Sequence, residues 1–197
     1  MKFIFLVLSF VFAFHLVNLS ANDPVTLSTS TPSPTEYVTD YTGILDDTIK
    51  ASLDSQLKDY EAKTSNQVIV VVAENAGNGE LDSTCNAVFH KWGIGQKGKN
   101  NGVVLFWFPE IRKLRIAVGE GLEGALPEII AKRIIDDEIT PCFKKQQWGH
   151  GLQQGVDGII KATKGEYKNA AKGSGEGVMF FAAELVFSIC ESLFSVE

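Results

Sequence analysis

Two runs of consecutive apolar residues constrain this 197-residue chain more than anything else in it: "QVIVVVAE" at 67–74 and "GVVLFWF" at 102–108. Neither alternates polar with apolar. A strand without a polar face must be covered on both sides, so each run is expected to be a buried central strand. Between them, Asp82 or Ser83 is placed to cap a helix carrying Cys85, Val88, Phe89 and Trp92 on one face. Ahead of the first run, Asp46 or Asp47 can cap a helix with Ile49, Leu53, Leu57 and Tyr60 at helical spacing. After the second run, "PEIRK" reads as a tight turn and "LRIAVG" as a further strand, giving a hairpin. Pro127 suits the first turn of a helix bearing Ile130, Ile134, Ile135 and Ile139, which Pro141 should end. A last helix, about 148–163, carries Leu152, Val156, Ile159 and Ile160. The order α-β-α-β-β-α-α predicts an α/β three-layer sandwich, a mixed central β-sheet with helices on both faces.

The flanks differ in character. Residues 1–21 combine one early charge, Lys2, with an apolar stretch to about Leu19 and small residues after it. That is the pattern of a secretory signal peptide cleaved near Ala21, the alternative being a retained N-terminal anchor. Export would place the protein in the periplasm or another extracytoplasmic space. Residues 22–36 are rich in Ser, Thr and Pro and read as a flexible tether. The folded domain is expected over 37–165, a polar linker over 166–177 and an apolar tail over 178–197. Glu184 and Glu191 interrupt the tail, so an amphipathic, membrane-associating helix and a true span both fit it.

Chemistry has to be sought among weak motifs. "VGEGLEG" contains a literal G-x-G-x-x-G at Gly119, Gly121 and Gly124. It follows the second strand of a hairpin, not the first strand of a βαβ unit, and Glu120 and Glu123 would repel a pyrophosphate. A second match, "GIGQKG" at 93–98, precedes a strand instead of following one. Nucleotide binding is therefore excluded. The net charge of −6, without a long basic run, argues against nucleic acid. Carboxylates beside glycine turns suit a hard cation, Ca²⁺ or Mg²⁺, although a solvated loop has the same composition. No triad elbow, zinc-protease helix, phosphate loop or EF-hand loop occurs. His90 and His150 read as surface or capping residues. Lys97 and Lys99, among glycines and asparagines, suit either an anion nest or an exposed loop. Cys85, Cys142 and Cys190 form no framework. They read as small buried apolar residues, with a Cys85–Cys142 bridge as the alternative in an oxidising compartment.

Taken together, "YVTDYTGILDD", "TSNQVIVVVAE", "HKWGIGQKGKNNGVVLFWF", "RKLRIAVGEGLEGALPE" and "ITPCFKKQQWGHGLQQGVDGII" resemble the TPM domain family across about 37–163. That family includes a plant thylakoid-lumen photosystem-repair protein, a nematode acetylcholine-receptor modulator and many exported bacterial proteins. The resemblance implies an α/β sandwich, binding of Ca²⁺ or Mg²⁺, and, from the plant member, acid phosphatase activity. The chain departs from many relatives at "FKKQQWGHG", where an acidic Gly-Asp-Tyr stretch is usual, and lacks a Gly- and Ser-rich terminus. Asp40 and Glu123 stand at family-like acidic positions, and Asp136 and Asp137 lie on the following helix. These four are the expected metal ligands, around one acidic rim. The expected role is a cell-envelope module that binds a divalent cation and acts through contacts with a protein partner, with membrane association open. The alternative is a metal-assisted acid phosphatase, for which the sequence names no catalytic residue.

Overall fold

The computed structural model describes residues 26–77 and 80–167. The expected signal peptide, the polar linker from 168 onward and the apolar tail lie outside the described residues. The chain divides into two units, Met1–Glu166 and Tyr167–Glu197, and the fold described below belongs to the first.

Four strands form one sheet in the order β1-β2-β3-β4. They are β1 (Val38–Asp40), β2 (Gln67–Val72), β3 (Gly102–Phe108) and β4 (Lys113–Val118). The pairs β1–β2 and β2–β3 are parallel, while β3–β4 is the antiparallel hairpin. Helix α1 (Asp47–Thr64) connects β1 to β2, and α2 (Leu81–Trp92) connects β2 to β3. After β4 come α3 (Glu128–Arg133), a π-helical segment (Ile134–Ile139), α4 (Thr140–Lys144) and α5 (Trp148–Thr163). The sandwich with a mixed sheet is thus the fold observed.

Every residue of β3 is buried, and so are five of the six in β2 by position, Val68 to Val72. Ile69, Val71, Val104, Phe106 and Phe108 share one face with Cys85, Val88 and Phe89 of α2. Alternation sends Val68, Val70, Leu105 and Trp107 to the other face. There Leu53, Leu57, Leu152, Val156 and Ile159 are buried on α1 and α5, with Ile134 and Ile139 of the π-helical segment.

Several local expectations need correction. Strand β1 is a three-residue edge strand that sequence periodicity did not mark. Asp46 caps α1 by accepting from the Thr48 amide at 2.8 Å, but neither Asp82 nor Ser83 caps α2. That helix starts at Leu81 after an extended Glu80, and the Ser83 hydroxyl donates to the Glu80 carbonyl at 2.9 Å. Pro141 does not end its helix. It has no N–H and its ring crowds the carbonyl four residues back. The register slips into the π form just before it, the Thr140 amide and hydroxyl both reach the Ile135 carbonyl, and α4 continues through the proline. Cys85 and Cys142 are both free thiols. Cys85 sits in the α2 layer and Cys142 beside Gly151 of α5, on opposite faces of the sheet.

Residues 26–31 are not a free tether. Thr26 bridges Asn75, the Leu27 amide donates to the Asn75 carbonyl at 2.9 Å, and Leu27 is fully buried in the α2-side core. The Trp92 indole donates to the Thr31 carbonyl at 3.0 Å, and Lys91 reaches the Thr29 carbonyl. One leucine in a polar run is enough, because among the described residues the α2 face of the sheet has one helix to cover it. Leu27→Ala should therefore cost about 2–5 kcal/mol in denaturant unfolding, as large-to-small core changes do. An unchanged midpoint would restore the tether.

Candidate functional site

The four carboxylates expected around one rim are dispersed. Asp40 ends β1, opposite Val72, which in turn pairs with Trp107 at the far end of β3. Glu123 follows β4, whose last residue, Val118, pairs with Val103 at the near end of β3. The two acids therefore lie at opposite ends and opposite edges of the sheet. Asp40 is also occupied locally. Its Oδ1 accepts from the Thr42 amide at 2.9 Å, the Thr42 hydroxyl at 2.7 Å and the Gly43 amide at 3.0 Å. Its Oδ2 accepts from the Leu45 amide at 2.8 Å. This carboxylate folds the turn between β1 and α1. Asp136 and Asp137 are exposed on the π-helical segment. Among the described residues, no group of three or more His, Cys, Asp or Glu side chains comes together in a way that could hold a metal.

The glycine stretch has a different purpose. Gly119 donates to the Gly102 carbonyl at 2.8 Å and Gly121 to the Asn100 carbonyl at 3.1 Å. A Cβ on Gly119 would lie 2.2 Å from the Asn100 oxygen, and one on Gly121 only 2.0 Å from the Lys99 oxygen. Any side chain at either position would collide with backbone. Gly124 meets nothing within 4 Å and shares no such constraint. The partner loop is pinned in turn by buried Asn101. Its side chain donates to the Ser65 carbonyl at 2.6 Å and accepts from the Gln96 amide at 2.8 Å. The two glycine motifs thus interlock, backbone against backbone, and leave Lys97, Lys99, Glu120 and Glu123 exposed.

Beside this lock the sheet has an edge that no described residue covers. β4 is the terminal strand next to Gly119. The bond from Gly119 to Gly102 fixes the phase of the ladder, because hydrogen-bonded pairs alternate in antiparallel strands. Arg115 and Ala117 bond inward to β3. Leu114, Ile116 and Val118 turn their N–H and C=O groups outward. A groove of about 810 Å³ runs along this edge. One wall is Asn86 and His90 of α2, the other Leu126, Pro127 and Ala131 at the start of α3. A smaller cavity of about 450 Å³, also lined by His90 and Glu120, continues it over the Gly95–Gly98 loop.

Arg115 closes one end of the groove. Its Nε lies 3.2 Å from Asp82 on α2, and its Nη1 lies 2.7 Å from Glu128 on α3. The guanidinium thus clasps the two helical layers across the strand edge. Burial works against its charge, but the Glu128 hydrogen bond and the two carboxylates outweigh this, and its pKa is raised. The same hydrogen bond, followed by the charge of Arg115, lowers the pKa of Glu128. In the α2 layer, burial pushes the Cys85 thiol up to about 12, so it is protonated and inert. At the other end of the groove, Glu120 and Glu123 make no ion pair with any described residue. Arg115 was not singled out by motif. Its one signal is a cation on the core-facing phase of "LRIAV".

These features define an α/β domain that presents an open sheet edge between two helical layers. The chain matches the TPM domain family (TPM phosphatase) over residues 38–162 and belongs to it. No curated protein matches it. Among solved structures it is similar to the N-terminal domain of a protein from P. gingivalis, determined by NMR in solution. That domain is 28% identical with a TM-score of 0.61, the alignment covering 68% of this chain and 85% of that one. The BA42 protein of Bizionia argentinensis shares the fold at 21% identity and a TM-score of 0.52, over 65% of this chain and 88% of its own. The N-terminal domain of a Corynebacterium glutamicum protein does so at 16% identity and a TM-score of 0.50, over 77% and 96%.

Two outcomes follow from the geometry. Asp40→Ala should cost about 1–3 kcal/mol in urea unfolding, because buried or half-buried amides of the β1–α1 turn lose a charged acceptor. An unaltered midpoint would free Asp40 for another role. The Arg115–Glu128 pair should be pH-sensitive in a defined direction. Glu128 has a depressed folded-state pKa, so its contribution is complete above the unfolded value and disappears as pH falls through the folded one. Stability measured from roughly pH 6 to 3 should fall less steeply in Glu128→Gln than in the native chain. Parallel slopes would show that the pair is not coupled to folding.

Proposed function

We propose that this TPM domain is an exported binding module that works through contacts with a protein partner and takes a divalent cation as a second ligand. The observation that supports the partner reading is the groove along β4. It offers unpaired backbone groups and unpaired carboxylates rather than a nucleophile held against a base. Export rests on the N-terminal signal pattern. No described helix is long and apolar enough to cross a membrane, and the apolar tail, which lies outside the described residues, carries the proposal of membrane association.

The cation part of the proposal centres on Glu120 and Glu123, which stand exposed on the same short turn after β4. Hard cations take several oxygen ligands and relieve the repulsion between neighbouring carboxylates. Asp40 does not belong to this set, being at the opposite end of the sheet. The second reading, a metal-assisted acid phosphatase, is favoured by the phosphatase label of the family that the chain matches. In that case Glu120 and Glu123 would hold a cation able to polarise a phosphoryl oxygen, and Lys97 and Lys99 on the adjoining loop would supply positive charge.

The full-length protein incubated with p-nitrophenyl phosphate, with calcium or magnesium, tests the choice. The binding-module reading expects no release above that of a buffer blank. Release that falls with Glu123→Gln or Lys97→Ala would establish the phosphatase instead. In the same samples millimolar calcium should raise the melting temperature, since a ligand of the folded state stabilises it by mass action. Glu123→Gln should reduce that rise and Asp40→Asn should leave it intact. A rise equally large in Glu120→Gln/Glu123→Gln would move the cation elsewhere.

A further inference from the structure

We propose that the β4 edge accepts an extended, lysine- or arginine-bearing segment of the partner protein as a fifth strand, entering from the Glu120–Glu123 end. This rests on the reading of the groove as a protein-contact surface. Ile116 and Val118 direct N–H and C=O groups into the groove, and these make no hydrogen bond with any described residue. An added strand satisfies such groups, and its alternate side chains supply selectivity. One set of those side chains meets the apolar wall formed by buried Ile116, Leu126 and Ala131.

Charge selects the occupant. The acids lining the groove are Glu120, Glu123 and Glu128, against one arginine, Arg115. Arg115 is already engaged by Asp82 and Glu128, which leaves Glu120 and Glu123 as the uncompensated charges. The Arg115 clasp blocks the Leu114 end, so the incoming segment stops there and its basic residue lies beside the free acids. A second copy of this chain fits poorly. Its own β4 is recessed between the same two helical layers and cannot reach into an identical recess.

The test titrates the full-length protein with the peptide acetyl-Val-Lys-Val-Lys-Val-amide, followed by amide chemical shifts and calorimetry. Shifts should concentrate at Ile116, Val118 and the Gly119–Glu123 turn. Binding should weaken at least fivefold in Glu120→Gln/Glu123→Gln, in a peptide with glutamates for lysines, and in one N-methylated at alternate residues. Val118→Pro should do the same, because it removes an outward N–H while the β3 ladder is kept. Should that variant fail to fold, the N-methylated peptide still decides. No binding at millimolar peptide, undiminished binding of the glutamate or N-methylated peptide, or self-association through β4 in sedimentation would each overturn the proposal. Failure here without phosphate-ester hydrolysis removes only strand addition, whereas failure with hydrolysis removes the binding-module reading as well.

Discussion

The structure depends on the need to bury both faces of β3. All seven of its residues are inside, so the sheet requires a layer on each side. On one side α1, α5 and the π-helical segment supply it. On the other, among the described residues, there is only α2, and the gap it leaves draws in Leu27. The same demand explains why α5 carries glycines on its buried face. Gly155 and Gly158 lie against Ile139 and Ile134, which brings the π-helical segment close to α5. The helix gives up propensity at each glycine and recovers it in packing.

The fold was legible because apolar runs and helical periods report burial, and burial dominates these elements. Local features were less legible where competing interactions are comparable in size. β1 is too short for any period to show, and its pairing with β2 comes from the sheet alone. A proline ordinarily ends a helix. Here Ile134 and Ile139 are fully buried, and the helix keeps its course through a π segment ahead of Pro141. The polar run at 26–31 looked unfolded because its composition averages away its one leucine.

The site was legible only as a set of unusual residues. Gly119 and Gly121 stand out in the sequence as a glycine motif, but sequence cannot show that they face the Lys99–Asn100 backbone. Asp40 and Glu123 look equivalent in a linear motif, yet strand direction sends them to opposite ends of the sheet. Asp40, Thr42 and Gly43 already spell a side-chain-to-backbone turn, which is the more economical reading of that acid. Arg115 illustrates the converse. Its importance lies in joining Asp82 and Glu128, residues far apart in the chain, and no local pattern records that.

An open sheet edge is a hazard as well as an opportunity, since any extended chain can pair with it. In this domain the edge is recessed between helices, clasped by Arg115 at one end and guarded by charge at the other. Under the proposed strand addition, those devices restrict the occupant to a short segment, for which few main-chain hydrogen bonds are available. Each contributes only about 1 kcal/mol net, so the backbone alone gives weak binding and the charged end must supply the discrimination. A cation held by Glu120 and Glu123 would neutralise that end. Within the proposed function, the two ligands are then antagonists by construction: the ion that stabilises the turn after β4 removes the charge that a basic segment requires. If the protein is exported as proposed, the ionic composition around it would set how strongly such a module engages a partner, with no change in fold.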